Sequence, residues 1–248
     1  MRTACACVVA IIAIVAGSGS ASAGRTFYGW LYGTEVMPQR GVELQQWVYE
    51  IDDLDTNNHS RQTSVWWGPL IGVTDQLELA LPIEFDWTSA DGAANNFTLQ
   101  RFGVEARYRF VSQDPEDMPP FAPLARVAVK RDVVVRDETR VEIDLVGSYQ
   151  SGPVHVLADM GLVGDINADN TKFQARPGAG ISIGVTDEFR IGAEFYGELE
   201  LQQDDSKSWA GIGPNFAWTY GRFWVSGAAL VGIYHVKVAP RFMWGVSF

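Results

Sequence analysis

LELALPIEFDW, residues Leu77 to Trp87, changes character at every step. Its odd positions, Leu77, Leu79, Leu81, Ile83, Phe85 and Trp87, are large and apolar; its even positions are Glu78, Ala80, Pro82, Glu84 and Asp86. Successive side chains of a β-strand point to opposite faces, so this stretch reads as a strand with one apolar and one charged face. The rhythm recurs with Val141, Ile143, Leu145, Gly147 and Tyr149 against Arg140, Glu142, Asp144, Val146 and Ser148. It recurs again with Phe189, Ile191, Ala193 and Phe195 against Arg190, Gly192, Glu194 and Tyr196. Further stretches near 42–51, 62–73, 98–110, 121–131, 154–164, 173–184, 209–220, 223–233 and 238–248 bring the total to about twelve.

The connections alternate as well. Val73 to Gln76, Ser151 to Pro153, Val185 to Glu188 and Tyr220 to Arg222 are short turns. Asp52 to Ser60, Thr88 to Asn96, Asp132 to Thr139, Asp165 to Lys172 and Gln202 to Ser208 are longer and polar. Two connections bend the rule: Ser112 to Pro119 is long where a short turn is due, and Tyr234 to Lys237 is short where a loop is due.

A soluble sandwich packs its apolar faces inward and turns its polar faces to water. Here the apolar face carries Trp, Tyr and Phe near the strand ends, and the other mixes charges with Gly, Ala and Ser. That is the inverted pattern of a transmembrane barrel, apolar to lipid and polar to the lumen. Lipid offers no hydrogen bonds, so a spanning sheet has to close on itself. The expected fold is all-β: an up-and-down antiparallel transmembrane barrel over 41–248 of about twelve strands, with ten or fourteen as alternatives. The stretches at 42–51 and Phe121–Asp132 are the least regular.

The N-terminus reads as an export signal. Arg2 is followed by an apolar run from Ala4 to Ala16, then Gly17 to Ser20, and then Ala21-Ser22-Ala23 as an A-x-A cleavage site. The run is short for a membrane anchor. Cleavage after residue 23 removes both cysteines, Cys5 and Cys7, so no disulfide or cysteine metal site is expected in the mature chain. It also removes one basic residue, which takes the formal charge from −11 to −12. So acidic a chain lacks the basic footprint of a nucleic-acid partner. Residues 24–40 do not alternate and read as a periplasmic segment or a lumen plug.

The chain ends on PRFMWGVSF, Pro240 to Phe248, with Phe242, Trp244, Val246 and Phe248 on one face. This resembles the C-terminal strand of Gram-negative outer-membrane β-barrel proteins, which the barrel-assembly machinery reads as its signal. The resemblance implies the bacterial outer membrane as location, with membrane lipid and lipopolysaccharide around the barrel. GVTDQLELALPIEF (Gly72–Phe85) and GVTDEFRIGAEFYG (Gly184–Gly197) look like turns of transport-type barrels such as the phenol-degradation-pathway outer-membrane family. That likeness implies a channel or porin for small molecules, the solute unnamed. Thr-Asp is also generic turn chemistry.

If Leu77 and its partners face lipid, the lumen is lined by Glu78, Glu84, Asp86, Arg101, Glu105, Arg107, Arg126, Lys130, Arg140, Glu142, Asp144, His155, Asp159, Arg176, Arg190, Glu194 and Glu198. Hairpin arithmetic sets Glu84 beside Arg101, Glu78 beside Arg107, Arg176 beside Glu198, His155 near Ser148 and Asp159 near Asp144. Such pairs hold register at about 0.2–1 kcal/mol each, and they also tune what passes. Gly178, Gly180, Gly192, Ala228 and Gly232 leave room on one side of the lumen. Acidic loop residues (Asp52, Asp53, Asp55, Asp91, Asp132, Asp137, Glu138, Asp165, Asp169, Asp204, Asp205) suit a solvated rim, a cation-enriched mouth or cation bridges to lipopolysaccharide phosphates. DINADN (Asp165–Asn170) lacks the glycine and distal glutamate of a calcium loop, so no metal site or cofactor is expected. Ser148, His155 and Asp159 can be written as a triad, but they face the lumen, whereas a lipid hydrolase presents its site to the bilayer. A closed structural or adhesive barrel is the alternative to the channel, and a lipid-modifying enzyme the third reading.

Overall fold

A computed structural model describes residues 26–52, 60–90, 96–168, 170–202 and 208–248. The proposed signal segment with its cysteines lies outside these residues, as do loop positions Asp53, Asp55, His59, Asp91, Asp169, Asp204 and Asp205. The strands are β1 (Val42–Asp52), β2 (Ser60–Gly72), β3 (Leu77–Ala80), β4 (Ile83–Ala90), β5 (Asn96–Arg109), β6 (Phe121–Asp132) and β7 (Thr139–Ser151). They continue as β8 (Val154–Ile166), β9 (Thr171–Gly184), β10 (Phe189–Glu200), β11 (Trp209–Tyr220), β12 (Phe223–Tyr234) and β13 (Val238–Ser247). Strands consecutive in the chain pair antiparallel except β3 and β4, which both lie between β2 and β5, and β1 pairs with both β2 and β13, so the sheet closes.

The barrel has twelve staves, because β3 and β4 are one stave interrupted at Leu81-Pro82. Both halves keep a single register on β2, with Leu70 opposite Ala80 and Trp67 opposite Ile83. Proline has no N–H for the ladder. Leu81 donates to Pro69 O (3.1 Å), and Gly103 donates to Pro82 O (3.0 Å), so the seam stays bonded across the break. The alternation that marks LELALPIEFDW as a strand is thus real, and its proline marks the interruption.

The faces are inverted relative to a soluble protein. Phe97, Phe102, Val104, Leu145, Met160, Ile191, Val231 and Phe242 all stand on the outside, 46–63% exposed. Exposed aromatics cluster near both rims: Phe110, Phe121, Tyr149, Tyr220 and Phe248 at the turn end, and Trp87, Phe97, Phe173 and Tyr234 at the loop end. Inward positions carry buried Glu78, Glu105, Arg107, Arg126, Glu142 and Asp144. A monomeric soluble protein rarely exposes an apolar patch beyond a few hundred Å²; this one exposes a continuous apolar belt.

The turns follow local chemistry. In both GVTD repeats the threonine hydroxyl accepts two following amides: Thr74 from Gln76 (3.2 Å) and Leu77 (2.9 Å), and Thr186 from Glu188 (3.3 Å) and Phe189 (3.0 Å). The turn between β7 and β8 is tighter than hairpin arithmetic assumes. Ser151 pairs with Val154, leaving a two-residue loop of Gly152 (φ 55°) and Pro153. Glycine first, then a residue with negative φ, is the two-residue hairpin chemistry that matches strand twist. This shifts the pairing by two residues: His155 lies opposite Gln150, and Asp159 opposite Val146.

Candidate functional site

The lumen is occupied by the chain's own N-terminal segment. Tyr28, Trp30, Leu31, Thr34, Val36 and Met37 are all at most 6% exposed. Their partners come from staves all round the circumference. Glu194 of β10 accepts Trp30 N (2.8 Å) and Gly29 N (3.1 and 3.2 Å to its two oxygens). Glu78 of β3 accepts Met37 N at 2.7 Å, and Asp159 of β8 accepts Tyr32 N at 3.3 Å. Arg109 of β5 donates to Thr34 O (2.8 Å), and Arg241 of β13 donates to Trp30 O (3.3 Å). The Thr34 and Ser148 hydroxyls are 2.6 Å apart, and Tyr28 OH is 3.0 Å from His155 Nδ1. A strand supplies its neighbour with ladder bonds; this non-repeating segment satisfies its buried backbone with lumen side chains instead.

The segment rises from the turn end at Tyr28, beside His155, to Trp30–Tyr32, and returns to the turn end at Gln39. There Gln39 N donates to Asp75 (3.0 Å), and Arg40, at φ 66°, donates to Gly72 O (2.9 Å). The long connection after β5 belongs to this arrangement. Gln113 takes Val36 N (3.3 Å) on its oxygen and gives its amide to Val36 O (2.9 Å), so one side chain satisfies both backbone groups of a single residue.

The small residues expected to leave room in the lumen are docking positions or wall contacts, a correction to the sequence expectation. A Cβ on Gly178 would strike Leu31, and one on Gly180 would strike Tyr28. Ala228 abuts Gly29; Gly192 backs onto Ile181 O and Asn215, and Gly232 onto Val236. Val236 enters from the short Tyr234–Lys237 connection, where His235 sits at φ 46° and Val236 packs with Trp30 in the interior cluster.

The seventeen lumen residues named from the sequence are all buried or half-buried. Glu84 lies opposite Arg101 (3.5 Å), Glu78 opposite Arg107 (3.6 Å), and Arg176 is 3.4 Å from Glu198. Arg126 joins Glu105 (2.6 Å), Asp144 (2.6 Å) and Glu142 (2.9 Å) under the ring of Tyr32, 4.2 Å away. Lys130 bridges Glu84 (2.5 Å) and Glu142 (2.9 Å), Arg140 holds Asp165 through two bonds, and Ser64 donates to Asp86. Arg190 donates to Ser182 and to Pro153 O.

The expected register of His155 on Ser148 and of Asp159 on Asp144 is corrected by the two-residue turn, which leaves Asp159 diagonal to Asp144 rather than opposite it. Leu157 faces Ser148 and Gly161 faces Asp144. Ser148, His155 and Asp159 instead each hold a different residue of the inner segment: Thr34, Tyr28 and Tyr32. Arg241, Glu43, Asp132 and Gln113 were missing from the sequence-derived set. Arg241 lies over the rings of Trp47 (4.1 Å) and Trp30 (5.2 Å), Glu43 accepts from Trp224 Nε1 (3.0 Å) and Ser247 (2.8 Å), and Asp132 meets Arg101 at 3.1 Å. Arg241 had a signal, the one charge on the small face of the last strand.

Above the segment lies a vestibule of about 460 Å³ facing the loop end. Its floor is Trp30 and Tyr32. Aromatic residues of β1, β2, β10 and β11 form one wall, and charged residues of β4 to β10 the other. Among the described residues the lining balances: Arg101, Lys130, Arg140, Lys172, Arg176 and Arg241 against Glu84, Asp86, Glu142, Asp165, Glu198 and Glu200.

No protein-family model matches this chain, and no curated protein matches it. Solved structures do. An outer membrane channel from Pseudomonas putida F1 superposes with a TM-score of 0.61 at 10% identity, covering 87% of this chain and 98% of that one. The translocator domain of the autotransporter NalP from Neisseria meningitidis gives 0.53 at 11% identity, covering 100% and 95%. The KdgM porin gives 0.52 at 9% identity, covering 84% and 99%. At such identities the likeness is one of fold: the chain has the architecture of outer-membrane β-barrels.

Proposed function

We propose that this protein is an outer-membrane channel for small solutes, closed at rest by its own residues 26–37. The carrying observation is that the vestibule ends on a floor belonging to a separate segment of chain, Trp30 and Tyr32, rather than to the barrel wall. The segment is held by hydrogen bonds and ring contacts to the staves, which can be exchanged for water one at a time. The apolar belt and rim aromatics suit a bilayer. The even stave number puts both ends of the barrel on one side, the periplasm in this reading, with the vestibule facing outward. The three residues of the written triad are engaged in holding the segment, so the barrel is read as non-enzymatic.

A closed structural barrel is favoured by one observation, the wholly buried Arg126 with its three carboxylates beneath the floor. Planar-bilayer recording separates the two. Mature protein 24–248 is compared with a variant whose residues 26–37 are replaced by a Gly-Ser segment of equal length. The channel reading expects rare openings in the first and sustained openings in the second. A variant that folds, shown by a heat-modifiable band, yet stays silent contradicts it and leaves the structural barrel.

A further inference from the structure

Two of the carboxylates that hold the inner segment differ from the others in the lumen. Glu78, which takes Met37 N, also faces Arg107 at 3.6 Å. Glu194 and Asp159 make no ion pair among the described residues. Glu194 is 2% exposed and Asp159 5%, and each meets the segment through backbone N–H groups: those of Gly29 and Trp30 on Glu194, and that of Tyr32 on Asp159. Asp159 Oδ1 is buried without a hydrogen-bond partner. Burying a carboxylate away from any cation is costly, so the segment's N–H groups occupy the places where the donors of a cation would serve better.

The wall between these two carboxylates is shaped for an apolar body. On β9, Gly180 lies between Leu157 of β8 and Glu194 of β10, and Gly178 lies between Asp159 and Tyr196. The two glycines leave a hollow that the Tyr28 ring and the Leu31 side chain fill at rest. Leu157, Tyr196 and Ala228 belong to the same interior cluster as Tyr28 and Leu31. When the segment withdraws, the hollow keeps its apolar lining and its two carboxylates, now open to water and ionised. A calcium ion takes about six to eight oxygens, which two carboxylates on staves separated by β9, with glycine and leucine beside them, do not supply. An anion is repelled by both. An alkylammonium group brings a positive charge and three N–H donors, and the carbon attached to it can cover Leu157 and Tyr196.

We propose that this hollow is a solute-binding site for a primary amine cation carrying an aromatic or aliphatic body, and that the resting segment is its internal substitute. The proposal rests on the solute-channel reading, because the hollow opens only when residues 26–37 withdraw, but binding is measured apart from current. Residues 24–248 with 26–37 replaced by the Gly-Ser segment are folded in detergent and titrated with phenethylamine by calorimetry. Phenethyl alcohol has the same body without charge, phenylpropionate carries the opposite charge, and ammonium chloride supplies the charge without a body.

The expected result is saturable binding of phenethylamine in the millimolar range or tighter, with each comparison probe weaker by about tenfold or more. Glu194→Gln and Asp159→Asn, each made in the Gly-Ser background, weaken it by about tenfold or more. In the intact protein phenethylamine competes with the segment, so amide exchange at Gly29 and Trp30 accelerates as its concentration rises. Absence of saturation overturns the proposal, as does equal binding of phenethyl alcohol or an affinity that neither substitution changes. Where the Gly-Ser variant does not fold, the intact protein decides, and exchange at Gly29 and Trp30 that phenethylamine leaves unchanged overturns it. A folded Gly-Ser variant that binds phenethylamine yet never conducts leaves this site standing and removes the channel reading. One that conducts but binds no phenethylamine does the reverse.

Discussion

Glu194→Ala removes the acceptor that holds the rising limb of the inner segment. In the intact protein its carboxylate takes the amides of Gly29 and Trp30, with Asn215 donating to it at 3.3 Å from the wall. Hydrogen bonds to a charged group contribute about 1.5–3 kcal/mol each. Two backbone donors therefore set the loss at about 3–6 kcal/mol, and water entering the space left by the side chain brings it toward the lower end. Each 1.4 kcal/mol is tenfold in an equilibrium, so the ratio of released to seated segment rises about a hundredfold. In planar bilayers the open probability of Glu194→Ala should exceed that of the parent by that order. Glu194→Gln, which keeps one amide oxygen as acceptor, should fall between. Amide exchange at Gly29 and Trp30 should accelerate in parallel. A folded Glu194→Ala barrel with the parent's open probability and the parent's protection at those two amides would refute the assignment of Glu194 as the anchor.

Gly180→Leu should also unseat the segment, because its side chain claims the space of the Tyr28 ring; overpacking of this kind costs about 1–3 kcal/mol. More frequent openings than in Gly147→Ala, whose added Cβ meets only the Phe121 ring on the outer face at 3.4 Å, are the expected readout. Arg126→Leu strips Asp144 of its buried ion-pair partner, while Glu105 keeps Arg107 and Glu142 keeps Lys130, and should destabilise the barrel by about 3–5 kcal/mol in urea unfolding from lipid vesicles. An unchanged midpoint would show that water reaches Asp144.

The barrel was legible in the sequence because each stave carries its own signal. In β5, Phe102, Val104 and Tyr108 alternate with Arg101, Glu105 and Arg107, and any one-residue slip would drive those charges into lipid. Glu84 and Arg101 could be paired by arithmetic for the same reason. The β7–β8 turn could not be placed to better than two residues, since Ser151, Gly152 and Pro153 are all good turn formers and only the φ of Gly152 selects the tighter loop. The inner segment was harder still. FYGWLYGTEV has no period, because its contacts are single side chains from many separate staves rather than one neighbouring strand. Gly178 and Gly180 read as open space for the same reason: a glycine that makes room for Tyr28 or Leu31 looks the same in sequence as one that makes room for a solute.

The most direct test of a channel closed by its own N-terminal segment uses residues 24–248, which contain no cysteine. Thr34 Oγ1 and Ser148 Oγ lie 2.6 Å apart, one on the segment and one on β7, so Thr34→Cys with Ser148→Cys places two sulfurs where a disulfide of about 2.0 Å can form. Single-channel current is recorded from the oxidised double variant, and a reductant is then added to the same membrane. The expected result is silence while the bridge is intact and stepwise openings after reduction. Openings of equal size and frequency before and after reduction, in barrels shown to be fully cross-linked, would contradict it.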